Sequence, residues 1–230
     1  MNIVFIKLTF SLFLTLLFLN SALALDSSPQ IPSDNTSVLS VKPETCSFSG
    51  SFSQQKEING LDQALESNGV FFYDCQIGII WQTLSPIQEA LVLQKVGKSY
   101  IVTDDDKKIM KSPQSKVINK LIMALVGGND DYLADQFSIS KTLNSIFLTP
   151  KNKRLKRAIN EIIITYDSSH GLSQTDQLTV TMTDRNNQET RIDSKKVSFF
   201  EDTDKLTTKI QNCINSSYIN TSICELLINL

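Results

Sequence analysis

The chain has 230 residues, enough for one domain with appendages, and its 22 basic against 24 acidic residues leave a formal net charge of -2. That balance argues against a nucleic-acid protein, which carries a basic patch or stripe, and a composition 41% hydrophobic and 20% charged excludes a chain disordered throughout. A single histidine, His170, excludes a multi-histidine metal site, and neither a metal nor a cofactor is expected.

In chain order, Lys7 is the only charge before Asp26, an apolar run follows from Leu8 to Leu19, and Ser21-Ala22-Leu23-Ala24 ends in small residues. A basic start, an apolar middle and an A-x-A end predict a secretory signal peptide over residues 1–24, cut after Ala24. The apolar run is shorter than the ~20 residues of a spanning helix. Removing 24 of the 230 residues leaves 206, and losing Lys7 takes the charge from -2 to -3. The residue after the cut is Leu25 and not a cysteine, so nothing marks this chain as itself lipid-anchored. Residues 25–45, rich in Ser, Pro and Asn, read as an extended arm.

All four cysteines, Cys46, Cys75, Cys213 and Cys224, follow the signal, and an even count in an exported protein predicts disulfides. Three pairings exist. The spacing favours Cys46–Cys75 and Cys213–Cys224, the first pair near-opposite across a hairpin. Zinc is disfavoured, because there is no C-x-x-C and no nearby histidine.

Ser47 to Ile58 has strand character, and Asn59-Gly60 signals a hairpin widened by Leu61 to Leu65. Further strands are expected at Gly69–Tyr73, Ile77–Leu84 (closed by Pro86), Ala90–Val96 and Ser99–Thr103. After the Asp104–Asp106 turn, Lys107 to Met110 would pair back. The acidic turn lacks the spacing, glycine and distal glutamate of a calcium loop and reads as solvated. The period then changes: Val117, Ile118, Leu121, Ile122 and Leu125 are spaced as an amphipathic helix ended by Gly127-Gly128. Asp130 to Asp135 predicts a second helical turn closing on Phe137. The sheet resumes at Ser145–Leu148, Ile159–Tyr166, Gln177–Thr183, Glu189–Asp193 and Val197–Phe200. From Leu206 the tail reads as one or two weak helices around Cys213 and Cys224.

Three features could carry function on their own. The basic run Lys151 to Arg157 (KNKRLKR) is either a solvated turn or a contact for an acidic partner or anionic head groups. His170, beside Asp167, Ser168 and Ser169, would be the centre of a secreted hydrolase, but a triad is assembled in space and no G-x-S-x-G elbow is present. A disulfide-bonded secreted binding module is a third class, for which the sequons at Asn35, Asn215 and Asn220 would matter.

The predicted fold is mainly β with helices (α+β): a curved antiparallel sheet with short helices over its concave face. Alternation along a strand puts Ile77, Ile79 and Trp81 on one face, and Leu91 and Leu93 on one face of the next strand. With Phe71, and with Ile118, Leu121, Ile122 and Leu125 of the helix as a lid, they would line an apolar slot suited to acyl chains.

The order of residues also resembles a known family. Phe52-Ser53-Gln54, Ile58-Asn59-Gly60-Leu61, Leu65 to Gly69, Phe71/Phe72, Trp81-Gln82-Thr83 and Pro86 look like the opening strands of LolA, the periplasmic carrier of outer-membrane lipoproteins. Leu125 to Asp130, with Leu133 and Phe137, is similar to that family's helical insertion. Phe147-Leu148-Thr149-Pro150, Ile159–Thr165 and Leu178–Thr190 follow in the family order. The resemblance spans residues 46–200, is nearest the divergent LolA-like branch, and leaves 201–230 as a C-terminal extension.

It implies an incomplete β-barrel closed by helices around an apolar cavity, and a monomeric periplasmic carrier without catalysis or cofactor. The cargo implied is an acylated lipoprotein or lipid, with a glycolipid or aryl-polyene lipid as the alternative. The partners implied are an inner-membrane ABC transporter and a LolB-like outer-membrane receptor. Burying acyl chain is worth roughly 0.8 kcal/mol per CH₂, so such cargo does not cross water unaided. Two departures stand out. The family carries an arginine shortly before the tryptophan that latches its lid, and none occurs between Cys46 and Trp81. Its opening amphipathic helix is replaced by the Ser/Pro arm.

Overall fold

The computed structural model describes residues 45–103, 106–111, 113–166, 177–216 and 219–228, the side chains of 113–119 excepted. The expected signal peptide, all but Thr45 of the arm, Asp104, Asp105 and the His170 loop lie outside the described residues.

The strands are β1 (Ser47–Lys56), β2 (Leu65–Asp74), β3 (Gly78–Ser85), β4 (Glu89–Gln94), β5 (Ser99–Val102) and β6 (Lys107–Ile109). After helices α1 (Pro113–Gly127) and α2 (Asp130–Gln136) come β7 (Phe137–Lys141), β8 (Ser145–Pro150), β9 (Ile159–Tyr166), β10 (Gln177–Asp184) and β11 (Glu189–Phe200). Helices α3 (Leu206–Ser216) and α4 (Thr221–Ile228) follow. They form one antiparallel sheet in the order β6-β5-β4-β3-β2-β1-β11-β10-β9-β8-β7. The edge strands β6 and β7 are not paired with each other, so the sheet is not closed into a barrel.

Most strands lie within a few residues of where turn signals and alternation placed them; β2 starts earlier than expected, at Leu65, pairing through residues that were expected between the turn and the strand. Three others differ. β7 was not expected: its five residues, with only Phe137 and Ile139 alternating, are too short to stand out from the α2 segment before it. β11 runs unbroken where two strands were expected: Ser194, Lys195 and Lys196 pair with Phe52, Ser51 and Gly50, and a bulge at Val197, opposite Ser49/Gly50, shifts the register beyond them. β3 starts at Gly78 rather than Ile77, because Gly78 has φ +134 and breaks the extended chain there. A Cβ on Gly78 would collide with the Leu93 carbonyl.

Helix α1 ends as the glycine pair predicts. Gly128 takes φ +64, and the Asn129 amide donates to the Ala124 carbonyl at 2.9 Å, the six-to-one bond of a Schellman cap. Asn129 then caps α2, its side-chain oxygen accepting from the Tyr132 amide at 3.0 Å. One residue therefore ends the first helix and starts the second.

Register assigns the two faces. Phe48 lies opposite Tyr73, Phe71 opposite Trp81, and Trp81 opposite Leu91. In the other direction Gln54 lies opposite Ile192, Ile192 opposite Val180, Val180 opposite Ile164, and Ile164 opposite Ile146. All of these share one face. Helix α1 packs on both halves of it: Leu121 and Ala124 join the core of β7–β10, while Ile122, Met123 and Val126 pack on Phe48, Phe71 and Tyr73. One helix touches both halves only if the sheet curls around it, so this face is concave.

The convex face of β2–β4 is covered by α3 and α4. Val70, Phe72, Ile80, Ala90 and Val92 pack against Cys213, Ile219, Ile223, Cys224 and Leu227. Within this contact the Lys209 ammonium reaches both Asp74 carboxylate oxygens, at 3.1 and 3.2 Å, and Gln76 Oε1 at 2.8 Å, with both ionic side chains 2% exposed. Asp74 Oδ1 also accepts from the amides of Gln76 and Ile77, so one carboxylate shapes the β2–β3 turn and anchors α3. The two disulfides are Cys46–Cys75, across the end of the β1–β2 ladder, and Cys213–Cys224, joining α3 to α4. These are the pairings that the spacing favoured.

Candidate functional site: an apolar cavity beneath the lid helix

Between the C-terminal half of α1 and the concave face lies a cavity of about 300 Å³. Its walls are Phe48 and Phe71, Trp81 and Leu91, Leu178 and Val180, and Ile192, with Ile122, Leu125 and Val126 of α1 as the roof. Gln54, Ser194 and Lys196 are its polar members. Leu91 on β4 and Val180 on β10 are five strands apart, which on a flat sheet would be roughly 24 Å. They face one small space because of the curl.

An aromatic stack forms the wall at Trp81. Its ring lies 4.0 Å from that of Phe52 and 5.7 Å from that of Phe71, both stacked. Gly69 makes the stack possible, since a Cβ there would strike the Phe52 ring and the Gln82 carbonyl. Phe48 completes the wall edge-on to Phe71, with the Lys196 ammonium 5.2 Å from its ring centre. The C-terminal end of α1 is seated on Tyr73: a Cβ on Gly127 would collide with the Tyr73 hydroxyl. Burial, and secondarily the Asp74 charge beside it, pushes the Tyr73 phenol up to about 12, so it stays neutral across physiological pH.

Sequence patterns of known families then bear on this geometry. The pattern of the family described as "Outer membrane lipoprotein carrier protein LolA" matches residues 44–207. The chain belongs to the LolA family. Among solved structures, a LolA-superfamily protein from Nitrosomonas europaea is similar at 7% identity and a TM-score of 0.42, covering 74% of this chain and 93% of that one. No curated protein matches the chain at a significant level. The family match ends at residue 207, so nearly all of α3 and the whole of α4 lie beyond it.

The residues proposed from sequence fall into four groups. Phe71, Trp81, Leu91, Ile122 and Leu125 line the cavity. Ile79 and Leu93 share its face but are fully buried in the core that supports it, and Leu121 is buried in the β7–β10 core. Ile77 does not join them: displaced by the Gly78 kink, it packs with α3 and α4 on the convex side. The side chain of Ile118 lies outside the described residues.

Sequence reasoning missed Phe48, Val126, Leu178, Val180 and Ile192. Leu178 and Val180 were visible as an alternating pair, but nothing local says that β10 curls round to face β3. Among the described residues no arginine lines the cavity, and Phe52 and Phe71 stack on Trp81. Among the described residues no group of three or more His, Cys, Asp or Glu is placed to hold a metal, and no helix is long and apolar enough to cross a membrane.

Proposed function

We propose that this LolA-family chain is a periplasmic carrier that shields the acyl chains of a lipoprotein or lipid in the cavity beneath α1. The observation that carries the reading is a cavity walled by aromatic and aliphatic side chains from both halves of a curled, unclosed sheet and roofed by a single helix. At about 300 Å³ the space sits at the low end of ligand sites, which run to about 1,000 Å³. Cargo with several acyl chains is accommodated when α1 lifts from the sheet, and returning α1 to its seat opposes retention. A carrier needs both: burial worth roughly 0.8 kcal/mol per CH₂, and a competing closed state that lets the cargo go. The reading places the chain between an inner-membrane ABC transporter that loads it and a LolB-like receptor that unloads it, and it involves no catalytic step. A glycolipid or aryl-polyene lipid would use the same walls.

Trp81 is the only tryptophan in the chain, so its emission reports on this cavity alone. Titrating the purified chain with an acyl probe should shift and saturate that emission, and organic extraction of protein taken from its native envelope should release acylated peptide or lipid. Protein that is recovered empty and leaves the Trp81 spectrum unchanged with the probe would sink the carrier reading.

A further inference from the structure

We infer that a groove beside the lid helix, separate from the apolar cavity, binds the phosphate group of an acylated ligand. This groove, of about 430 Å³, is bounded by Lys120 of α1, by Tyr132 and Gln136 of α2, and by Asn152, Lys153 and Arg154 of the β8–β9 connection. Among the described residues, three cations from two separate segments face one space, and no carboxylate lines it. Asp135, next to Gln136 on α2, accepts a hydrogen bond from the Gln136 side-chain amide.

The basic segment here is not a loose solvated turn. The Lys151 backbone amide donates to the Gln136 carbonyl at 2.8 Å, and its ammonium to the Ala134 carbonyl at 2.6 Å. The Asn152 side chain is hydrogen-bonded to Gln136, and its oxygen accepts from the Leu155 amide at 2.9 Å. Leu155 is buried in the β7–β10 core. These ties fix the backbone that carries Lys153 and Arg154, so less conformational entropy is lost when they close on an anion. An arginine fork with two ammonium groups suits phosphate oxygens. The Tyr132 phenol, pushed up by burial and by Asp135, stays protonated and can donate to the same group.

The groove adjoins a second one of about 510 Å³ through Lys120 and Tyr132, which border both. That second groove runs along α1 over Met123, Ala124 and Leu93 towards Tyr73. A cationic mouth continuous with a part-apolar trough matches an amphiphile with a phosphate at one end. The acyl half of the inference rests on the carrier reading; the phosphate half does not.

The test compares dioctanoylphosphatidic acid, dioctanoylglycerol and inorganic phosphate on the same protein by calorimetry, with Trp81 emission reading the apolar cavity, and with a Lys153→Gln/Arg154→Gln variant alongside. Both substitutions are on exposed side chains that line neither the apolar cavity nor the second groove. The expected result is that the phosphatidic acid binds about tenfold tighter than the neutral lipid, and that the variant loses this preference while keeping its affinity for dioctanoylglycerol. Inorganic phosphate binding to the wild type but not the variant, with the two lipids indistinguishable, would support the anion site with a free ion as its source. Equal lipid affinities with no heat from phosphate overturn the inference and leave the carrier reading standing. Phosphate binding without either lipid would remove the carrier reading and keep the anion site, and no binding of any of the three overturns both.

Discussion

Tyr73 and Gly127 make the contact by which the lid helix rests on the sheet, and two consequences follow at this scale. The first concerns pH. The folded phenol titrates near 12, above its ordinary value of 10.0, so between these values the unfolded chain has lost a proton that the folded chain keeps. Stability is therefore unaffected by Tyr73 below pH 10 and falls as the pH rises from there towards 12. Urea unfolding at pH 9 and 10.5 should show this decline, and Tyr73→Phe should shrink it; an unchanged slope would mean that the phenol is not held neutral by burial. The second concerns Trp81. Trp81→Asp puts a charge into an apolar wall and should abolish acyl-probe binding while native circular dichroism persists, whereas Trp81→Phe should retain most of it. Much of this wall was legible in the sequence, because alternation along β2, β3 and β4 is a local property. Ile77 was misplaced for an equally local reason: the alternation count ran through Gly78, whose positive φ resets it.

At the scale of elements, the period of α1 and the cysteine spacing were readable, while the docking of α3 and α4 was not. Lys209 lies on a weakly apolar segment and looks like any surface lysine until its partner, 135 residues earlier in the chain, is known. Removing one member of a buried ion pair strands the other, at a cost of about 3–5 kcal/mol. Lys209→Met should show a loss of that size in denaturant unfolding, and adding Asp74→Asn should recover part of it, because the amide oxygen can still accept from the Gln76 and Ile77 amides. The Cys213–Cys224 bond closes a short loop, and removing it as a double serine variant should cost about 3 kcal/mol. Reduction kinetics with and without Lys209 would show whether the ion pair and the disulfide act as one clamp. The basic β8–β9 segment was visible in composition but not its rigidity, which depends on backbone bonds to α2.

At the scale of the molecule, the sheet is covered unequally. Strands β2 to β4 are buried on both faces, by α1 on the inside and by α3 and α4 on the outside. Strands β8 to β10 are packed on the inside, while no helix buries their outer face: Phe147, Ile163 and Thr181 there are half-buried, and Thr149 and Thr165 are exposed. Amides of β2 and β3 should therefore exchange with deuterium more slowly than those of β8 to β10, and a double serine variant of Cys213 and Cys224 should narrow the gap. Equal protection across the two halves would show that the outer helices add no rigidity. None of this inequality was legible in the sequence, since it depends on which half of the sheet the segment with α3 and α4 returns to cover.

The unpaired seam between β6 and β7 turns that inequality into mechanics. A closed barrel resists dilation because any increase in girth breaks ladder hydrogen bonds, whereas a slit cylinder widens by bending and keeps them all. With one wall braced and the other not, bending concentrates in β8 to β10, so the vessel behaves as an anvil faced by a spring leaf. On the proposed carrier reading, the room beneath a lifted α1 then grows with the compliance of that leaf beyond the 300 Å³ of the resting state. On the same reading, the load that bends the leaf outwards is also the load that the leaf, relaxing, helps α1 to expel.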